Sequence, residues 1–206
     1  MGTPRIQRKI KLGTITMRAS FTGAQSSGKT TLLDACKEDE AFVDFDFVDE
    51  VTRKVKREYG VEINENCGDE TQYLIAAEHL QNAFRKLNVW GNSPNNLLMD
   101  RCIVDGLVYT SVLRDMGKVK SAALVHMIAL AEIILPRMDV IFYTEPLPVV
   151  DDGVRATNMD FHARIVREFN SYIETASVRH LDLKFISLPP VSVEERIKII
   201  KETLEI

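Results

Sequence analysis

Apolar and polar positions along the chain switch repeatedly between a period of two and a period of about 3.6, the two spacings of half-buried strands and amphipathic helices. Thr14 to Phe21 (TITMRASF) alternates and is rich in β-branched residues, so it predicts a strand. Lys29 to Glu38 then reads as a helix, Asp44 to Val48 (DFDFV) as a short strand, and Glu50 to Tyr59 as a helix stopped by Gly60. From Asp69 to Leu87, apolar residues recur at Leu74, Ala77, Leu80, Phe84 and Leu87, a helical spacing. The run NSPNN is a loop by turn chemistry, and Leu97 to Met99 is a buried strand that ends at Asp100. Cys102 to Arg114 and Val119 to Leu135 predict two helices separated by Met116-Gly117. Val140 to Tyr143 predicts a strand, Pro146 and Pro148 open a loop through DDGVR, and Asn158 to Ser177 predicts an amphipathic helix. Leu183 to Leu188 and Val193 to Leu204 supply a last strand and a last helix.

Strands separated by helices imply an α/β fold, with a five-stranded parallel sheet carrying helices on both faces. Functional groups then gather at the carboxyl ends of the strands. The 206 residues have ordinary globular composition, with 45% hydrophobic and 27% charged positions. The expected organisation is a flexible basic tail over 1–13 and a single domain over 14–206, with a small lid at about 149–167. Net charge is −4, which disfavours a bulk-basic nucleic-acid binder. The longest apolar stretch, Ala122 to Leu135, is too short to span a membrane and contains His126 and Glu132. Cys36, Cys67 and Cys102 show no C-x-x-C pair, so a reducing, cytoplasmic setting is expected. The helix SAALVHMIALAEIIL is apolar nearly all round, which places it in the core or against a partner helix; a homodimer is one of these two readings.

The most specific chemistry is Gly23-Ala24-Gln25-Ser26-Ser27-Gly28-Lys29-Thr30, a full match to G-x-x-x-x-G-K-[ST] between an expected strand and an expected helix, with Thr31 following. At ordinary residue frequencies a chance match in a chain of this length is about 1 in 100. The glycines let the backbone turn tightly and aim N–H groups at phosphate oxygens, and the helix start adds partial positive charge. Lys29 then reaches the β- and γ-phosphates, and Thr30 ligates Mg²⁺. This predicts a site for ATP and Mg²⁺.

Such a loop serves several reactions. No N-K-x-D, T-K-x-D or D-x-x-G is present to support a GTPase. FDFVDE at Phe45 to Glu50 fits a second reading, an ATPase coupled to a protein or nucleic-acid partner, in which Asp49 holds Mg²⁺ and Glu50 polarises water. Three clusters at expected strand ends point instead to an acceptor. In Asp49-Glu50-Val51-Thr52-Arg53, Glu50 and Arg53 share a helix face, where they form either a surface ion pair or an acceptor-binding pair. In Leu97-Leu98-Met99-Asp100-Arg101, Asp100 can bind Mg²⁺ or position the acceptor, and Arg101 can bridge acceptor and phosphoryl group. Asp151-Asp152-Gly153-Val154-Arg155 offers a mobile arginine able to close over ATP, followed by Arg164 and Arg167.

With GAQSSGKTTL, DEVTR, LLMDRCIVDGLVY and VDDGVR in this order, the chain resembles the P-loop kinases linked to NAD metabolism, typified by the ribosylnicotinamide kinase domain of NadR. More distantly it is similar to thymidylate and deoxynucleoside kinases. The resemblance implies ATP-dependent phosphoryl transfer to a nucleoside or nucleoside monophosphate. By motif position it implies Gly23 through Thr31 as the ATP cradle, and Lys29, Glu50, Asp100, Arg101 and Arg155 as catalytic. It makes Asp49, Glu50, Arg53 and Arg101 acceptor-binding, and Thr30 and Asp100 the Mg²⁺ residues. Cys102 stands where thymidylate kinases carry Tyr, and Val51 where nucleoside and thymidylate kinases carry Pro, so the acceptor itself is not carried over.

Overall fold

The computed structural model describes residues 16–87, 96–147, 159–179 and 182–206. The expected basic tail, the start of the first strand, most of the NSPNN loop and the DDGVR segment with Arg155 lie outside the described residues.

Five strands form one sheet: β1 (Arg18–Thr22), β2 (Phe45–Val48), β3 (Asn96–Asp100), β4 (Val140–Thr144) and β5 (Lys184–Leu188). Their order is β2-β3-β1-β4-β5, and every pairing is parallel. Among the described residues seven α-helices connect or flank them: α1 (Lys29–Glu38), α2 (Val51–Tyr59), α3 (Asp69–Arg85), α4 (Ile103–Asp115), α5 (Ser121–Ile134), α6 (Met159–Arg179) and α7 (Val193–Leu204).

The period-two alternation of the strands divides the core in two. Ala19, Phe21, Leu98, Val140 and Phe142 face α1 and α7, where they meet Leu32, Leu33, Ile200 and Leu204. Leu97, Met99, Ile141 and Tyr143 face the opposite side, which α2 to α6 cover with Val55, Ile103, Val108, Met127 and Phe169. Helices thus cover both faces of the central strands, as an all-parallel sheet requires. β1 lies between β3 and β4, so the chain runs to opposite sides of the sheet from it. The crevice at the carboxyl end of β1 is the switch point where open α/β sheets bind ligands.

The helix of residues 121–134 is less enclosed than its composition suggests. Ala123, Met127, Ala131 and Ile134 pack inward, whereas Val125, Ile128 and Ile133 remain exposed. Apolar residues on every side of a helix do not require burial on every side. All three cysteines are buried and unpaired, and no helix of the described residues is long and apolar enough to cross a membrane.

Candidate functional site

The phosphate loop joins β1 to α1, and its shape is fixed by close approach. Gly23 has φ 144°, and a Cβ there would lie 2.6 Å from both the carbonyl and the hydroxyl oxygen of Thr144 at the end of β4. No side chain fits. Gly28 caps α1 with φ 87°, a left-handed conformation that glycine adopts without steric cost. Ser27 and Thr144 share a hydroxyl–hydroxyl bond of 2.7 Å, and the Thr144 hydroxyl also donates to the Thr22 carbonyl. Tyr109 on α4 adds a further anchor, its hydroxyl accepting from the Gln25 N–H at 3.0 Å. Ala24 is fully buried, whereas the exposed Ser26 takes φ 61° at the tip of the loop.

Lys29 folds back over this loop. Its Nζ donates to the carbonyls of Gly23 and Ala24 at 2.9 and 2.7 Å and to the Ser27 hydroxyl at 3.1 Å. Three acceptors match the three donors of an ammonium. Burial acts against the charge, with Arg101 adding to it, and lowers the Lys29 pKa to about 7 despite Asp105, Asp100 and Glu50 nearby. A phosphate in the loop would replace weak carbonyl partners with strong anionic ones.

Thr30 donates to Asp100 Oδ2 at 2.7 Å, which joins the first turn of α1 to the end of β3. Asp100 is almost fully buried and its Oδ1 has no hydrogen-bond partner among the described residues. Burial raises its pKa, while Thr30 and Arg101 act in the opposite direction. A buried carboxylate oxygen with a free lone pair beside a threonine hydroxyl fits a hard divalent cation. The donor set therefore suits Mg²⁺. Asp49 lies elsewhere: its carboxylate is exposed and pairs with Lys37 at 2.8 Å. The Asp beside Thr30 comes from β3, because β3 and not β2 is the neighbour of β1.

Arg101 organises the side of the cleft next to Glu50. It has φ 76°, a backbone state costing roughly 1–3 kcal/mol that persists only when surroundings over-determine it. Those surroundings are explicit. Its Nε donates to Glu50 Oε1 at 2.8 Å, and Nη1 donates to Asp105 Oδ1 at 2.7 Å and to the Gly23 carbonyl at 3.4 Å. Its guanidinium carbon stands 5.8 Å from the Tyr109 ring centroid. Burial opposes the charge, but Asp105, Tyr109 and Glu50 outweigh it and hold the guanidinium protonated. Glu50 Oε2 takes a second cation, Arg53 Nε, at 2.7 Å. Glu50 is thus clamped between a buried and an exposed arginine at the start of α2.

Asp105 and Tyr109 lie within the LLMDRCIVDGLVY stretch of the sequence but receive no role there, and Gln72 and Arg196 are not singled out at all. Asp105 accepts from Thr22, Arg101 and the Cys102 N–H. It stands three residues into α4 in a capping-box arrangement, and an acid at that spacing is a signal the sequence does offer. Gln72 accepts from Thr110 and donates to the Cys67 sulfur. Arg164 and Arg167 lie exposed on α6, Arg164 facing Asp160 at 3.8 Å.

Two cavities meet at Arg101. An open cleft of about 410 Å³ runs over the phosphate loop past Glu50, Arg53 and Leu147. Behind Arg101 a small cavity of about 30 Å³ is lined by Asn64, Gln72, His79, Asp105 and Tyr109.

Comparison with known proteins agrees with this architecture. The thymidylate kinase of Candida albicans superposes with a TM-score of 0.66 at 14% identity, over 92% of each chain. The deoxyadenosine kinase of M. mycoides with bound dCTP gives 0.62 at 13% identity, over 92% of this chain and 99% of that one. A NadR protein in complex with NR gives 0.62 at 14% identity, with 91% of this chain matching 50% of that protein. These likenesses concern the fold, and it is the fold that the kinase resemblance of the sequence implies. No curated protein sequence matches the chain. The profile of one family, described as an AAA domain, matches residues 18–196. That span runs from the first residue of β1 into the first turn of α7 and includes the whole phosphate loop, so the chain belongs to this AAA-domain family.

Proposed function

We propose that the protein is an ATP- and Mg²⁺-dependent kinase that transfers the γ-phosphoryl group to a hydroxyl of a nucleoside or to a nucleoside monophosphate. The observation that carries this reading is Glu50 held between Arg53 and Arg101 at the mouth of the phosphate cleft. A hydrolase needs only a positioned water. A buried carboxylate flanked by two arginines, with a separate cavity behind one of them, supports a bound acceptor.

In this reading the backbone of residues 23–31 cradles the phosphates. Lys29 leaves its carbonyl partners for the β- and γ-oxygens, and Thr30 with Asp100 holds Mg²⁺. Mg²⁺ held there would neutralise negative charge on the nucleotide's phosphates. The acceptor oxygen forms a bond to the γ-phosphorus as the bond to the ADP oxygen breaks; a hydroxyl acceptor passes its proton to the Glu50 carboxylate, whereas a monophosphate oxygen attacks already deprotonated. Arg101 and Arg53 hold Glu50 in place and face the charge spreading over the transferred group. Asp49, exposed and paired with Lys37, would contribute at the outer edge of the acceptor site. Arg155 would supply a closing cation from the segment after β4. The small cavity behind Arg101 has room for about two waters, so an acceptor base entering it would push the connection between Gly60 and Gly68 outward.

The second reading, an ATPase driving a partner, draws support from the AAA-domain family match. Incubation with Mg-ATP and a panel of ribosylnicotinamide, nucleosides, deoxynucleoside monophosphates and short single-stranded DNA separates the two. A new product heavier by one phosphoryl group supports the kinase. ADP formed equally with and without every acceptor supports the ATPase.

A further inference from the structure

Arg196, at the fourth position of α7, is 2% exposed, yet among the described residues no carboxylate forms an ion pair with it. Its Nη1 donates to the Ser27 carbonyl at 2.9 Å, 169 residues away in sequence, and its Nε donates to the Pro189 carbonyl at 2.7 Å. Its Nη2 is buried and has no hydrogen-bond partner among the described residues. A Cβ on Gly28 would lie 3.4 Å from Nη1, so the guanidinium presses on the backbone of the phosphate loop itself. A buried charge lacking a counter-ion is costly, and such charges are normally paired. Glu145 acts on it through space, but that carboxylate accepts a hydrogen bond from the Ser187 hydroxyl at 2.5 Å instead.

The geometry points to Arg196 as a positioning residue for nucleotide binding, acting through the loop, with the nucleotide's phosphates as its missing counter-charge. In a trans peptide the C=O and the following N–H point in opposite directions. By holding the Ser27 carbonyl on its own side, Arg196 turns the Gly28 N–H away from itself and toward the inside of the loop. The same guanidinium holds the Pro189 carbonyl, so it ties the connection between β5 and α7 to the loop. This inference rests on the loop's being a nucleotide-phosphate site; it does not depend on whether the phosphoryl group then goes to an acceptor or to water.

The test is equilibrium binding of Mg-ATP, without acceptor, to the full-length wild type, Arg196→Met, Arg196→Lys, Glu145→Gln and the Arg196→Met/Glu145→Gln double variant, with KM and kcat measured in parallel. Removing a charge-assisted hydrogen bond and stranding its acceptor predicts a loss of about 10- to 100-fold in ATP affinity for Arg196→Met. The loss falls on KM for ATP rather than on kcat, and Arg196→Lys recovers most of it. Glu145→Gln removes the competing negative charge and tightens ATP binding, and that gain disappears in the Arg196→Met background. A role confined to packing would lower stability without this coupling. Wild-type affinity in Arg196→Met overturns the inference. So does a loss that Lys does not recover together with an unchanged Glu145→Gln. If Arg196→Met does not fold, the Lys and Gln variants decide alone, and wild-type affinity in both overturns it. A wild type that fails to bind Mg-ATP overturns the nucleotide reading of the loop, and this inference with it.

Discussion

Glu50 and Arg101 lie 51 residues apart in sequence and meet at 2.8 Å, each about nine-tenths buried. The contact joins the end of β2 to the end of β3 at the edge of the phosphate cleft. Arg101 also holds Asp105, and Glu50 also holds Arg53, so four charges share one network. Glu50→Gln keeps an acceptor for Arg101 but no longer takes a proton. It should lower kcat by about 10²- to 10⁴-fold, with ATP affinity unchanged. Arg101→Ala differs in kind, because it strands Glu50 and Asp105 without their cation. It should destabilise the fold by about 3–5 kcal/mol in denaturant titration. Equal stability in Arg101→Ala and wild type would contradict the network's role.

Lys29 links nucleotide binding to protons. Burial and Arg101 lower its pKa to about 7 in the free protein, and phosphate oxygens would raise it again. Above that value, the free protein is short of a proton that the complex holds, so Mg-ATP binding should take one up. Calorimetric binding enthalpies, measured one to two pH units above the free value in buffers of different ionisation enthalpy, should show an uptake approaching about one proton. The uptake should shrink at lower pH and vanish in Lys29→Ala. An enthalpy independent of buffer in the wild type would remove Lys29 from the phosphate site.

The Thr30–Asp100 pair predicts the Mg²⁺ dependence. Asp100→Asn removes the charge, and Thr30→Val the hydroxyl, from a pair 2.7 Å apart with one carboxylate oxygen unpartnered. Each should raise the Mg²⁺ concentration for half-maximal turnover by about 10- to 100-fold, whereas Thr30→Ser should stay near wild type. Asp49→Asn, altering an exposed group paired with Lys37, should leave the Mg²⁺ requirement unchanged. The reverse pattern would place the ion at the end of β2 rather than β3.

His79 gives a stability signature. It is buried beside Gly106, and burial lowers its pKa to about 4, with Asp105 and Glu78 raising it and Arg101 lowering it. The folded-state pKa lies below the unfolded value of 6.5, so between these values the unfolded chain binds more protons. Stability from this group is complete above pH 6.5 and is lost as pH falls toward about 4, by roughly 3 kcal/mol in all. His79→Gln should flatten the unfolding free energy across that window. An unchanged slope would show that other groups dominate acid sensitivity.

Much of the fold was legible in the sequence, and what escaped has physical reasons. The helices 29–38 and 193–204 match their expected bounds, because Gly28 ends the loop before one and Ser192 caps the other through Glu195. The helix after β2 starts at Val51 rather than Glu50, since Glu50 takes the non-helical cap position that frees its side chain for the two arginines. The Asp100–Arg101 and Glu50–Arg53 clusters stood out because charge at the end of an apolar strand is unusual without a partner. Arg196 did not. Within VEERIKII it has the look of an ordinary solvent-facing charge on an amphipathic helix, and only the tertiary fold turns it inward under the loop. Gln72 escaped for the same reason, since its partners Cys67 and Thr110 come from a connection and a different helix.

The central claim is phosphoryl transfer to an acceptor held beside Glu50, and the ratio of products in one reaction tests it most directly. With Mg-ATP and the acceptor that supports turnover, ADP and phosphorylated acceptor should be quantified by mass in the same tube. The account predicts one phosphorylated acceptor for each ADP in the wild type and neither product with Lys29→Ala. ADP accumulating with no phosphorylated acceptor, at a rate no acceptor changes, would contradict it.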